Sequence, residues 1–241
     1  MIKTVFVIVW VVFITFVLAI TAIATALILR RQDPVHKVGR FWANLILFAS
    51  RIKVTVNGLA NIDSSRSYIY MCNHRSNFDI PVLLGCLPVQ FRWLAKAELF
   101  KIPIFSQAMR AAGYISINRF NQESAFESIS EAARRIKDGV SVMIFPEGTR
   151  SRDGKIQPFK KGGFVLAVDA GVPIIPIILT GTRSIMPKGQ MRIFPGNVTM
   201  DICKPVDTSG YTRETKDDLL ERARTIICDG FEQRTEAKPN A

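Results

Sequence analysis

Hydrophobic side chains are concentrated at the start of the chain, where residues 4–29 contain no charged residue. As a helix, this stretch of 26 residues would be about 39 Å long, which exceeds the ~30 Å hydrocarbon core of a bilayer. The pattern therefore predicts a membrane-anchoring helix. Two alternatives stay open: a buried core helix, and a secretory signal peptide with Ala24-Thr25-Ala26 as its cleavage site. The run is longer than the ~7–15 apolar residues of a signal peptide.

A second, shorter apolar stretch covers residues 41–50, after a basic linker. Ten residues are too few to span a bilayer, so this stretch is either an interfacial helix that forms a hairpin with residues 4–29 or the first helix of the following domain. Basic residues flank the long helix unevenly. Only Lys3 precedes it, whereas Arg30, Arg31, Lys37 and Arg40 follow it, against the single Asp33. By the positive-inside rule, this asymmetry predicts that the rest of the chain lies on the cytoplasmic side.

From residue 51 onward, the hydrophobic pattern alternates between the period of a strand and that of a helix. Strands are predicted over residues 51–56, 67–72, 91–95, 114–118, 140–145, 172–179, 191–194 and 198–203. Helices are predicted over residues 103–112, 122–138, 162–170 and 212–231. Because Pro173 and Pro176 interrupt the run 172–179, we expect that strand at an edge or end of the sheet. The chain is thus predicted to be an α/β protein. A single domain over residues 51–241, with a mixed central sheet flanked by helices, follows an N-terminal anchor over residues 1–50.

The chain is strongly basic, with a formal net charge of +12. Such a charge indicates an anionic partner, either nucleic acid or an anionic membrane surface. The sequence has no zinc-finger spacing, RNA-binding signature or basic–aromatic ladder, so the adjacent anchor favours membrane lipids over nucleic acid. The four cysteines form no C-x-x-C pair, so we predict free thiols in a reducing compartment and no metal site.

His74 and Asp79, which follow the strand predicted over residues 67–72, are the first candidates for chemistry. Five residues of regular helix would place their side chains ~140° apart, so a helix must begin between them for the two to meet. Ser76 or Asn77 could cap that helix. Asp79 would then fix the tautomer of His74, which could act as a general base toward a substrate hydroxyl. The alternatives are a surface histidine with Asp79 as a helix N-terminal charge, and Cys72 as a nucleophile beside His74.

Residues 145–151 (FPEGTRS) follow the most apolar of the predicted strands and are the second candidate. Ligands bind at strand ends in α/β sheets. There Gly148 permits close backbone approach, Thr149 offers a hydroxyl and Arg150 a bidentate fork for phosphate. A plain turn is the alternative. Arg119, at the end of residues 113–119 (GYISINR), would reach a similar position unless it is an ordinary surface charge.

Four segments in this order, residues 73–79 (NHRSNFD), 113–119, 145–151 and 172–176 (VPIIP), resemble the motifs of the glycerophospholipid acyltransferase family. The chain resembles in particular its 1-acyl-sn-glycerol-3-phosphate (lysophosphatidic acid) branch, over roughly residues 50–205. The resemblance implies that His74 is the base and Asp79 its partner. It implies that the glycerol phosphate is held by Arg119, Glu147, Gly148, Thr149 and Arg150, with Lys96 and Lys160 near the phosphate.

The activity implied by the resemblance is transfer of a fatty acyl group from acyl-CoA or acyl carrier protein to the sn-2 hydroxyl of lysophosphatidic acid, giving phosphatidic acid. No metal or bound cofactor is implied. The expected partners are membrane lipids, the lysophospholipid and the acyl donor. Two alternatives remain. The first is a different acceptor: glycerol 3-phosphate, a lyso-aminolipid or another lysophospholipid. The second is a non-catalytic membrane protein that binds lipid.

Overall fold

The structure, a computed structural model, describes residues 2–118 and 121–236. Its helices are α1 (Ile2–Leu29), α2 (Gln32–Ala49), α3 (Asp79–Cys86), α4 (Phe105–Ala111), α5 (Gln122–Lys137), α6 (Gly162–Ala170), α7 (Thr182–Ile185) and α8 (Lys216–Glu236). Its strands are β1 (Ile52–Asn57), β2 (Ile69–Cys72), β3 (Arg92–Lys96), β4 (Ile115–Ile117), β5 (Val142–Ile144), β6 (Ile174–Thr180) and β7 (Gly196–Ile202).

The strands form one seven-stranded mixed sheet in the order β1-β7-β6-β2-β5-β3-β4. All neighbouring pairs are parallel except β6 and β7, which are antiparallel. The carboxyl ends of β2, β5 and β3 therefore meet at one edge of the sheet. That edge is where ligands bind in folds of this class. The predicted single α/β domain with a mixed sheet flanked by helices is confirmed.

Both faces of the sheet are covered, because alternate residues of a strand point to opposite faces. Tyr70 and Cys72 of β2 belong to the hydrophobic cluster that also contains residues of α1, α2 and α3. Ile69 and Met71 belong to the cluster built with α5, α6 and α8. All four residues of β2 are buried, as expected for a central parallel strand.

The prediction that residues 172–179 lie at a sheet edge is wrong, because β6 lies inside the sheet between β7 and β2. The Pro176 carbonyl accepts a hydrogen bond from the Cys203 backbone N–H, so the proline nitrogen also faces the side of β6 that pairs with β7. Regular pairing with β7 begins one residue later, at Ile177 and Ile202. Pro176 therefore lies where the β6–β7 ladder ends, and its missing N–H removes no hydrogen bond of the regular ladder.

Three other predicted elements differ from the structure by more than two residues. The helix predicted over residues 41–50 begins at Gln32, so most of the expected basic linker is helical. Residues 191–194 form no strand, and Met191 is exposed there. The last helix begins at Lys216 instead of residue 212.

α1 is the one described helix long and apolar enough to cross a membrane, judged by length and composition. It packs along α2 and α4, and the indole N–H of Trp42 donates to Thr15 Oγ1 at 2.8 Å. Its opposite face is exposed. Together with two phenylalanines of α2 it forms an apolar surface made of Val5, Phe6, Val9, Val12, Phe13, Phe16, Val17, Ile20, Leu27, Ile28, Leu29, Phe41 and Phe48. An exposed patch of this size is typical of a membrane contact. The division into an anchor over residues 1–50 and a domain over 51–241 stays a prediction.

Candidate active site

His74 is delivered to the carboxyl edge of the sheet by the end of β2. The preceding residue, Asn73, is buried and its side-chain amide donates to the Leu179 carbonyl at 2.9 Å. The Leu179 N–H in turn donates to Asn73 Oδ1 at 2.8 Å. This pair of bonds ties the chain to β6 at the point where β2 stops, and it fixes where the loop carrying His74 begins.

His74 and Asp79 meet, with 2.8 Å between His74 Nδ1 and Asp79 Oδ2. A helix does begin between them, since α3 starts at Asp79. The expected side-chain cap is replaced by Asp79 itself, which reaches back to accept from the backbone N–H groups of Arg75 at 2.7 Å and Ser76 at 2.8 Å. The buried carboxylate favours a proton on Nδ1, which leaves Nε2 free to accept one.

The imidazole is also held by aromatic stacking. The His74 ring lies on the Phe145 ring with 3.8 Å between centroids and 10° between planes. Phe145 in turn stacks on Trp93 at 5.4 Å. The sequence analysis assigned neither aromatic residue a role, because their stacking depends on β2, β5 and β3 being neighbours. Rings fixed in this way keep the imidazole orientation constant without further hydrogen bonds.

Cys72 is a poor candidate for the nucleophile. Its side chain points into the core beneath the sheet and is fully buried. Burial, with Asp79 and Glu147 nearby, raises the pKa of its thiol well above the ordinary value. A thiol that is buried and protonated does not attack a substrate.

A cavity of about 450 Å³ opens beside His74. Most of its wall is apolar and comes from the first four helices, through Leu18, Ala19, Ala22, Val35, Val38, Trp42, Leu84, Phe105, Ala108 and Met109. The rest of its wall includes the polar residues His74, Thr149, Arg150, Lys96 and Lys188. A cavity with a largely apolar body and several cationic side chains suits a molecule that has a hydrocarbon chain and an anionic head.

The segment after β5 supplies several predicted site residues. Gly148 adopts a φ of 74°, a left-handed conformation that favours glycine, and it turns the chain so that Thr149 and Arg150 reach the cavity. Lys96, at the end of β3, reaches the same cavity. Lys160 is exposed and does not line it, and Arg119 lies outside the described residues. The roles of these residues in substrate binding stay predictions.

Glu147 is buried at 1% exposure and does not line the cavity. Its two carboxylate oxygens accept hydrogen bonds from the backbone N–H groups of His74 and Gln157. Burial raises the pKa of this carboxyl to about 7, and the two backbone donors oppose the shift. These contacts join the loop of His74 to the loop after β5, so in this structure Glu147 positions the site.

Lys188, after α7, is a site residue that the sequence analysis missed. Its ammonium group donates to the Arg150 carbonyl at 2.6 Å and to Thr149 Oγ1 at 3.4 Å. Desolvation and the cations Arg152, Arg150 and Lys96 lower the pKa of Lys188. Residues 187–189 look like an ordinary turn in the sequence, and only the folding of α7 against the sheet edge brings this lysine to the cavity. We call Lys96, Arg150 and Lys188 the inner cluster.

Comparison with known proteins shows what this chain is similar to. A family model described as Acyltransferase matches residues 53–180. The chloroplastic 1-acyl-sn-glycerol-3-phosphate acyltransferase of Brassica napus is 37% identical over 81% of this chain and 56% of its own length. The human 1-acyl-sn-glycerol-3-phosphate acyltransferase alpha is 32% identical over 93% of this chain and 78% of its own length. The chain thus spans little more than half the length of its Brassica relative.

A solved structure is similar to this protein along the whole chain. The 1-acyl-sn-glycerophosphate (LPA) acyltransferase PlsC from Thermotoga maritima superposes with a TM-score of 0.83 at 29% identity. The match covers 100% of this chain and 99% of that protein. The likeness includes the N-terminal helices as well as the sheet.

Proposed function

The chain belongs to the acyltransferase family, and on that premise we propose that it transfers a fatty acyl group from a thioester to the sn-2 hydroxyl of 1-acyl-sn-glycerol 3-phosphate. The product is phosphatidic acid, and the setting is phospholipid biosynthesis. One observation carries the proposal. His74, hydrogen-bonded to Asp79, lines a cavity whose wall combines apolar side chains with the cations of the inner cluster.

The cationic side chains of the inner cluster, which line the cavity, support a phosphate-bearing acceptor. None of the three residues of the inner cluster forms an ion pair with any residue within 2–118 and 121–236. A phosphate monoester would supply the missing negative charge, and Arg150 could hold it through two parallel hydrogen bonds. The acyl chain of a lysolipid, or of the donor, would occupy the apolar body between α1, α2 and α4.

The proposed reaction begins when His74 Nε2 takes the proton of the sn-2 hydroxyl while Asp79 stabilises the resulting imidazolium. The hydroxyl oxygen attacks the thioester carbonyl and forms a tetrahedral intermediate. The carbon–sulfur bond then breaks, the thiolate leaves and the imidazolium returns its proton to the sulfur. The ester bond formed and the thioester bond broken balance the step, with no metal or redox partner required.

The exposed apolar surface of α1 and α2 supports a membrane location. We propose that this surface is embedded in the cytoplasmic leaflet, on the side indicated by Arg30, Arg31 and Lys37. Because the cavity lies between these helices and the sheet, a lysolipid could reach His74 from the bilayer. The water-soluble thioester, acyl-CoA or acyl carrier protein, would come from the aqueous side.

The proposal is tested by supplying the purified chain in mixed micelles with oleoyl-CoA and a panel of acceptors. The acceptors are lysophosphatidic acid, glycerol 3-phosphate and lysophosphatidylethanolamine, and products are measured by mass spectrometry. We expect phosphatidic acid acylated at sn-2. Preferential acylation of either other acceptor would contradict the substrate assignment. No acylated product with acyl-CoA or with acyl carrier protein would contradict the activity.

A further inference from the structure

A second group of cations lies next to the site but outside the cavity. We call Arg75, Arg152 and Arg183 the outer cluster. The guanidinium groups of Arg183 and Arg75 converge on Gly154, and their nearest nitrogens lie 1.5 and 2.8 Å from where a Cβ on that glycine would be. Arg183 also donates to the Arg152 carbonyl at 3.2 Å, and the charge of Arg152 also acts on Lys188 of the inner cluster. Two guanidinium groups therefore share one small region of surface.

The outer cluster lacks a direct salt bridge with any carboxylate of the described residues, 2–118 and 121–236. The Arg75 Nε atom is buried without a hydrogen-bond partner there. Burial and the adjacent Arg183 lower the pKa of Arg75, and the charges of Asp79, Glu147 and Asp153 oppose the shift without forming a salt bridge. Gathering like charges in this way is unfavourable unless an anion offsets it.

The cluster is held in place by neighbours that also hold His74. Arg75 directly follows His74, and its guanidinium lies over the Phe231 ring, 4.3 Å from the centroid. The Ser151 N–H donates to the His74 carbonyl at 2.9 Å, and Ser151 Oγ accepts from the Gly154 N–H at 2.8 Å. These bonds connect the loop that carries Arg152 and Gly154 to the backbone of the proposed base.

The two cation clusters differ in the part of the protein that surrounds them. The inner cluster lines the cavity formed with α1, α2 and α4, beside the exposed apolar surface. The outer cluster contacts Phe231 of α8, which packs with the hydrophobic cluster on the other face of the sheet. Within residues 216–236, α8 exposes no large hydrophobic side chain. The outer cluster therefore lies on the side of the sheet away from the exposed apolar surface, where a soluble anion could reach its exposed and half-buried arginines.

We propose that the outer cluster binds the phosphate groups of the acyl donor, which both acyl-CoA and acyl carrier protein carry on their pantetheine arm. This inference rests on the proposed function, in which a membrane lipid and a soluble thioester meet at His74. Each substrate would then have its own cations. The inner cluster holds the phosphate of the lysolipid, and the outer cluster holds the phosphate of the thioester.

The experiment replaces Arg152 and Arg183 by glutamine, singly and together. Arg75 is left intact because its stacking on Phe231 also supports the fold. Arg66→Gln is the matched control, an exposed arginine in the loop before β2 and far from the carboxyl edge of the sheet. Initial rates are measured against acyl-CoA at saturating lysophosphatidic acid, and then with the two substrates exchanged. Circular dichroism and melting temperature check that each variant is folded.

We expect the double variant to raise the KM for acyl-CoA by about ten- to hundredfold, because hydrogen bonds to charged groups are the stronger class. In the single variant Arg183→Gln the KM for lysophosphatidic acid should stay within about twofold, because Arg183 does not line the cavity, and Arg66→Gln should match the parent. Added 3′,5′-ADP should compete with acyl-CoA in the parent and lose potency in the double variant. Repeating the series with acyl carrier protein shows which carrier the cluster serves, since the KM that rises belongs to that carrier.

A rise in the lysophosphatidic acid KM alone, or no change in either KM, would overturn the inference while leaving the proposed function standing. Equilibrium binding of CoA to the purified parent and double variant requires no turnover. It therefore tests the cluster even if lysophosphatidic acid is not the acceptor, and equal affinities would overturn the inference.

Discussion

Replacing Asp79 by asparagine isolates the contribution of its charge. The amide oxygen can occupy the place of Oδ2, so it can still accept from His74 Nδ1 and from the backbone N–H groups of Arg75 and Ser76. The Oδ1 atom has no hydrogen-bond partner within residues 2–118 and 121–236, and the amide NH₂ would take its place. The geometry of the loop is therefore expected to survive while the negative charge disappears.

The expected loss of rate follows from the charge that develops on His74. When Nε2 takes the proton, an imidazolium forms beside the carboxylate. Two unit charges ~4 Å apart at an effective dielectric constant of about 20 attract by roughly 4 kcal/mol. Since each 1.36 kcal/mol changes a rate by about tenfold, kcat should fall by about 10²–10³. Three hydrogen bonds to a charged acceptor become bonds to a neutral one, so the free energy of unfolding should fall by about 2–3 kcal/mol.

The assay is the initial rate of phosphatidic acid formation, with both KM values measured and the melting temperature recorded. Asp207→Asn is a suitable control, because Asp207 also accepts a backbone bond within its own loop, from Ser209, but lies away from the site. Adding Asp79→Asn to His74→Ala should cause no further loss of rate, since the two residues act as one unit. A kcat within fivefold of the parent would refute the reasoning and leave Asp79 as a helix N-terminal charge.

Three further predictions concern the cavity and its supports. Lys188→Gln should raise the KM for lysophosphatidic acid by about tenfold at unchanged acyl-CoA KM, whereas Lys188→Arg should keep the parent's KM. A fall in kcat alone would contradict a role in substrate binding and indicate that Lys188 only supports the loop of Arg150. Ala22→Phe, which narrows the apolar body, should shift the products toward shorter acyl chains in mass spectra, whereas the exposed Ile20→Phe should not; identical distributions would contradict the assignment of that cavity. Because burial raises the pKa of Glu147 from 4.5 to about 7, the protonated form is favoured in the folded state. The parent's stability should therefore fall by up to about 3 kcal/mol as the pH rises from 4.5 to 7, and Glu147→Gln should lack this fall in denaturant titrations; equal slopes would contradict the shift.

Much of the fold follows from local pattern. The interior of β2 and β5 is apolar throughout, and the period of α5 places its apolar residues on one face, so these elements were predictable within one or two residues. The position of β6 inside the sheet was not predictable from the local sequence. A proline in a strand normally indicates an edge, but Pro176 lies where the ladder with β7 ends, and that register depends on residues 20 or more positions away.

The proposed site was predictable where its residues are close in sequence. The spacing of His74 and Asp79 requires a helix start between them, and α3 begins at Asp79 as that argument demands. Residues assembled by topology could not be found in this way. Phe145 stacks on His74, and Trp93 on Phe145, only because their strands are neighbours. Lys188 reaches Arg150 from a loop 38 residues later.

The role of Glu147 shows a different limit of prediction from sequence. The resemblance placed it among the residues that hold the glycerol phosphate, which would bring a carboxylate close to a phosphate. In the fold its oxygens face backbone N–H groups of two loops, and its side chain is shielded from the cavity. Burial and hydrogen-bond direction, which the sequence does not encode locally, point to a positioning role.

The central claim of the proposed mechanism is that His74 is the base that activates the acceptor hydroxyl. The most direct measurement is the rate of phosphatidic acid formation by His74→Ala, in parallel with the parent under saturating lysophosphatidic acid and acyl-CoA. The account predicts a folded protein with an unchanged melting profile and a rate lower by at least about 10³, in line with the loss of a positioned general base and its partner. A folded His74→Ala protein that forms phosphatidic acid at a rate near that of the parent would contradict it.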